Sequence, residues 1–166
     1  MHRRNLLGVP CAALALSACG FQLRTAPELA FQSLYVGAAV NSSLANELKR
    51  NLASLGNLQV ITDPTLQPTA QVVLDILQDQ REKTVVGVNA SGQVREFQLR
   101  VRLRFRLRTP QGRELIPETE LLLQRDISFN ESAVLAKEAE EGLMYRDMQS
   151  DIVQQLIRRL EAVRTL

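Results

Sequence analysis

The sequence predicts an α+β fold in which helices pack on one face of a small, mainly antiparallel sheet. Three observations carry that expectation. One long segment, Phe97 to Arg108, alternates apolar and mostly basic side chains with the period of a strand. Two other segments repeat apolar residues at the spacing of a helix. The order is strand, helix, strands, helix, without the regular alternation of a doubly wound sheet.

Taken in order, Ser33 to Val36 suits a first strand. Asn41, Ser42 and Ser43 supply cap-type side chains for the helix that follows. Leu44, Leu48, Leu52 and Leu55 form its apolar stripe, and Gly56 stands where helices commonly stop. A short apolar segment, Leu58 to Ile61, ends at Asp63-Pro64. Ala70 to Asp79 reads as a strand that can continue to Val88, before a turn at Asn89-Ala90-Ser91-Gly92.

The next strand is the clearest in the chain. Phe97, Leu99, Val101, Leu103, Phe105 and Leu107 fill one parity, while Arg100, Arg102, Arg104, Arg106 and Arg108 fill the other. One face therefore covers a core and the other presents arginines. Thr109-Pro110-Gln111-Gly112 matches a type I turn with a following bulge and leads into a strand from Arg113 to Ile127. Pairing Thr109 with Arg113 places Arg104 opposite Glu118 and Arg102 opposite Glu120. Asn130 is positioned to cap a final helix with the stripe Tyr145, Met148, Ile152, Leu156, Leu160 and Val163; Gly142 is a candidate interruption.

The first twenty residues say where the protein goes. His2-Arg3-Arg4 precedes an apolar run from Leu6 to Leu16, too short for a bilayer-spanning helix, and then Leu16-Ser17-Ala18-Cys19. The tetrad resembles a bacterial lipobox. It implies that residues 1–18 are cleaved, that Cys19 is acylated, and that residues 19–31 tether one domain, 32–166. Gly20, not Asp, follows the cysteine, which by the same resemblance favours the outer membrane.

Cleavage narrows the chemistry. Losing Arg3 and Arg4 takes the 20 basic side chains to 18, equal to the 18 acidic ones. Net charge then offers no support for nucleic-acid binding. His2 is the only histidine, and of the two cysteines Cys11 leaves with the signal and Cys19 carries lipid. A histidine-based triad, a Cys-His dyad, a His/Cys zinc site and an internal disulfide are all excluded from the mature domain. The expectation is a non-enzymatic protein with no cofactor beyond its covalent lipid.

Several segments together resemble the LPS-assembly lipoprotein family, LptE. They are Cys19-Gly20-Phe21-Gln22-Leu23-Arg24, Ser91-Gly92-Gln93 with Glu96-Phe97-Gln98, Arg125 with Ser128-Phe129-Asn130, Ala133 to Glu140, Asp147-Met148, and Gln155 to Leu160. The resemblance implies a two-layer α/β sandwich, two main helices on a small mixed, mostly antiparallel sheet. It implies a partner, the LptD β-barrel of the outer membrane, which the lipoprotein plugs while assisting lipopolysaccharide delivery. It also implies a lipopolysaccharide contact at the basic residue of the Ala-Lys-Glu segment, here Lys137. The family's second basic residue falls at Ala90, and Arg95 is the nearby candidate to replace it. Beside these readings stand plainer ones. The arginine face can be a solvated surface balanced by Glu118 and Glu120, and Lys137 can be a helix-surface lysine paired with Glu141. A docking subunit of another envelope machine is the alternative function.

Overall fold

The computed structural model describes residues 29–166; the signal, Cys19 and the stretch beside it lie outside the described residues. Five strands form one sheet in the order β2-β1-β3-β4-β5. They are β1 (Ser33–Gly37), β2 (Gln59–Ile61), β3 (Val72–Val88), β4 (Val94–Arg108) and β5 (Glu114–Ser128). β1 runs parallel to β2 and β3, whereas β3, β4 and β5 form an antiparallel meander. Two helices, α1 (Ser43–Ala53) and α2 (Val134–Glu161), cover one face. The architecture is the mixed, mostly antiparallel two-layer α+β arrangement.

Each element follows from local chemistry. Ser42 caps α1: its Oγ accepts from the Ala45 amide at 2.9 Å, satisfying one of the helix's free N–H groups. Leu44, Ala45, Leu48 and Leu52 then bury the apolar side. Gly56, at φ +77°, makes the left-handed step that ends the segment. The β4–β5 turn closes with Thr109 N donating to the Arg113 carbonyl at 2.8 Å, and Gly112 takes φ +98°.

The main core joins the inner row of β4 to both helices. Leu99, Val101, Leu103, Phe105 and Leu107 pack with Leu34, Val36, Leu74 and the α2 residues Met148, Ile152, Val153, Leu156 and Leu160. A smaller cluster of Tyr35, Ile61, Ala70 and Val73 sits apart from this core. It lies beside the 3-10 turn Pro64–Thr69, capped by Asp63. Phe31, which the sequence places in the tether, is only 2% exposed and belongs to the main core. The folded body therefore extends at least to Phe31.

Three local expectations are corrected. Arg104 lies opposite Glu120 and Arg102 opposite Leu122, because irregularities between Phe105 and Leu107 and between Leu107 and Arg108 shift the register by two. Extra residues around Pro117 on edge strand β5 absorb the shift, as expected where proline removes a ladder donor. A shift of two preserves the face, so the ion pairs survive as diagonal neighbours: Arg104–Glu118 at 2.6 Å and Arg102–Glu120 at 2.8 Å. Asn130 caps the 3-10 turn Glu131–Ala133 that precedes α2, not α2 itself, which starts without a side-chain cap. Gly142 does not interrupt the helix; α2 is continuous for 28 residues.

Candidate functional site

Sheet geometry decides where the candidates fall. Because β1 and β3 are parallel, the chain enters β1 at the end of the sheet where β3 begins, beside the β4–β5 turn. The β3–β4 turn lies at the opposite end, about 50 Å away for strands of this length. Ala90 is exposed in that far turn, which Asn89 organises by accepting from the Ser91 and Gln93 amides at 3.0 and 2.9 Å.

Both candidate cations flank one short segment at this tip. Lys137 Nζ donates to Ser128 Oγ at 3.2 Å and pairs with Glu140 at 2.8 Å. The expected partner Glu141 instead takes Lys83 of β3, at 2.6 Å. Arg95 lies at the start of β4, where its carbonyl accepts from the Phe129 amide at 2.8 Å. Its side chain is exposed and has no ion-pair partner among the described residues. The structure thus brings Lys137 and Arg95 to either side of Ser128-Phe129. Cys19 lies outside the described residues.

Behind these charges is a cleft of about 250 Å³ between the N-terminal turns of α2 and the end of the sheet. Phe97, Ile127, Phe129 and Val134 give it apolar walls. Phe97 and Phe129 meet edge to face, with centroids 5.3 Å apart and planes at 81°. Lys83 Nζ stands 4.2 Å from the Phe97 ring centre, a cation–π contact. Arg95 does not line the cleft.

Sequence reasoning missed Lys83 and the polar seam it belongs to. A register shift between Ile76 and Gln78 reverses the parity of β3, turning Asp79, Arg81 and Lys83 toward the helices. Asp79 accepts from Ser42 at 2.7 Å. Arg81 donates to Gln149, which is 7% exposed and also bonds Glu47 of α1. Tyr145 donates to the Glu82 carbonyl at 2.7 Å, and burial pushes its hydroxyl pKa up, with Glu141 adding to the rise. The signal was the break in apolar alternation after Ile76, where the core-facing parity of Val72, Leu74 and Ile76 continues as the polar Gln78, Gln80 and Glu82.

The arginine face is balanced. Arg106 and Arg108 share Asp75 at 2.9 and 2.8 Å, and Glu82 lies 4.0 Å from Arg100 and 3.8 Å from Arg102. Burial raises the Asp75 carboxyl pKa, but the hydrogen bonds and charges of Arg108 and Arg106 outweigh it and leave the pKa below its ordinary value. A salt-bridged, half-exposed sheet surface is what this geometry describes. Among the described residues there is no cluster suited to hold a metal ion, and no helix long and apolar enough to cross a membrane.

A family model, LptE, described as lipopolysaccharide-assembly, matches residues 31–160. The chain belongs to the LptE family. The LPS-assembly lipoprotein LptE of Pectobacterium atrosepticum is 26% identical over 161 residues, covering 96% of this chain and 85% of that protein. Its counterpart in Yersinia enterocolitica is 27% identical, covering 98% and 77%. Among solved structures, an uncharacterized lipoprotein B of Nitrosomonas europaea superposes with a TM-score of 0.73 at 33% identity, covering 86% of this chain and 91% of that one. Rare lipoprotein B of Shewanella oneidensis, at 20% identity and a TM-score of 0.63, covers 78% of this chain and 93% of its own, and shares the fold. This LptE chain is thus one of the lipopolysaccharide-assembly lipoproteins of the Gram-negative envelope.

Proposed function

We propose that this LptE chain is a lipid-anchored outer-membrane protein. It binds and plugs an LptD-type β-barrel and assists delivery of lipopolysaccharide to the outer leaflet. Residues 1–18 are the cleaved signal, Cys19 bears the lipid, and the residues after it connect the lipid to one binding domain that includes Phe31 and runs to residue 166. The observation that carries the reading is the family match across residues 31–160. The lipobox and the loss of the only histidine with the signal support an anchored, non-catalytic role. The placement of Lys137 and Arg95 beside Ser128-Phe129, at the end of the sheet opposite the start of β1, suits a lipopolysaccharide contact at that end.

The test is gentle detergent extraction of the lipidated protein followed by co-purification. A stable one-to-one complex with the lipopolysaccharide-transport barrel is the expected result. Recovery only with a different envelope machine would overturn the proposal and favour the docking-subunit alternative.

A further inference from the structure

We infer that the cleft under the N-terminal turns of α2 is an acyl-chain site for lipopolysaccharide, with Phe97, Ile127, Phe129 and Val134 as its walls. The inference rests on the proposed function and names the part of the ligand that this cleft takes.

The charges around the cleft argue for hydrocarbon over phosphate. Lys83 and Lys137 both line it, but so do Glu138 and Glu141. Lys83 is already held by Glu141, and Lys137 by Glu140 and Ser128. An anion arriving here would have to displace carboxylates from both lysines. A hydrocarbon chain displaces nothing: it covers the ring faces and the Val134 side chain while the ion pairs stay at the rim. Apolar walls with a few polar groups at the mouth are the usual composition of such a pocket. Each buried methylene would tighten binding about fourfold, so two or three suffice for more than about tenfold. The contribution should be nearly independent of salt, unlike any contact made by the exposed Arg95.

The α2 wall is built to yield. Among the 28 residues of α2, the buried ones begin at Tyr145, so the turns bordering the cleft are held mainly by polar contacts such as Lys83–Glu141 and Lys137–Ser128. Gly142 lies where those turns meet the buried part, and a Cβ added there would meet nothing within 4 Å. Packing gives no reason for that glycine, whereas a helix able to flex at the cleft's edge does.

The experiment places a photoactivatable benzoylphenylalanine at Val134 or at Leu135 of the full-length lipoprotein in phosphatidylethanolamine vesicles containing lipopolysaccharide. The two positions are neighbours on one helix, but Leu135 is 82% exposed and does not line the cleft. Adducts with lipopolysaccharide should be at least about tenfold more abundant from position 134 than from position 135, a ratio that stays the same between low and high salt. Equal labelling from both positions would overturn the inference, as would collapse of the 134-to-135 ratio in high salt. Adducts from position 134 mainly with phosphatidylethanolamine would overturn the assignment to lipopolysaccharide. Val134→Asp should abolish labelling from a probe at Phe129, and Leu135→Asp should leave it; the reverse pattern sinks the cleft. Barrel co-purification of the same proteins reports separately on the proposed function, since neither substitution touches the buried core.

Discussion

The two parts of α2 are one continuous helix with opposite relations to the rest of the molecule. From Tyr145 to Leu160 it buries Met148, Gln149, Ile152, Val153, Leu156 and Ile157 against the sheet and α1. From Val134 to Met144 it leaves Leu135 82% and Leu143 55% exposed, and it meets the sheet through the Lys83–Glu141 ion pair, the Lys137–Ser128 hydrogen bond and the partly buried Met144. The same backbone thus serves as structural core at one end and as the border of a cleft at the other. Helical continuity is therefore not evidence of uniform stability: what is buried beneath each turn decides it.

Matched substitutions test that contrast. Leu156→Ala removes a fully buried side chain and should cost about 2–5 kcal/mol in denaturant unfolding, whereas Leu143→Ala should stay within about 0.5 kcal/mol. Similar costs would mean that the two parts fold as one packed unit. Tyr145→Phe, at the boundary, removes the bond to the Glu82 carbonyl and should cost about 0.5–1.5 kcal/mol. Gly142→Ala should strengthen the helix locally by about 0.5–1 kcal/mol. If the first turns open independently, that gain appears as slower amide exchange before residue 145, by up to about fivefold, with little change in global unfolding. An equal rise in global stability would erase the distinction.

The contrast also marks how far the sequence could be read. β4 was legible because its two parities are chemically unlike, and one face of a strand that covers a core must be apolar. The cap at Ser42 and the turn at Thr109–Gly112 were legible because each rests on a few adjacent residues. The registers of β3 and β5 were not. Irregularities near Leu77 and Pro117 change the pairing without changing composition, so Lys83 reached the cleft and Arg104 met Glu118 diagonally. Lys137 was visible as a candidate only through family resemblance. Its partners, Glu140 and Ser128, depend on how α2 meets the end of β5, which no local pattern encodes. The stripe from Tyr145 onward named the buried part of α2, but spacing alone did not show that the turns before it lie over a cleft.

On the proposed function, lipopolysaccharide meets the end of the sheet that carries Lys137 and Arg95. The most direct measurement is lipopolysaccharide binding by Lys137→Glu/Arg95→Glu in the barrel complex, compared with Arg159→Glu near the C-terminal end of α2. Loss of the charge-assisted contact of the exposed Arg95, worth about 1.5–3 kcal/mol, together with a reversed charge at Lys137 on the rim of the cleft, predicts at least about tenfold weaker binding for the double variant, near-normal binding for Arg159→Glu, and full barrel association for both. Unchanged binding by the double variant, with the barrel still bound, would contradict the claim.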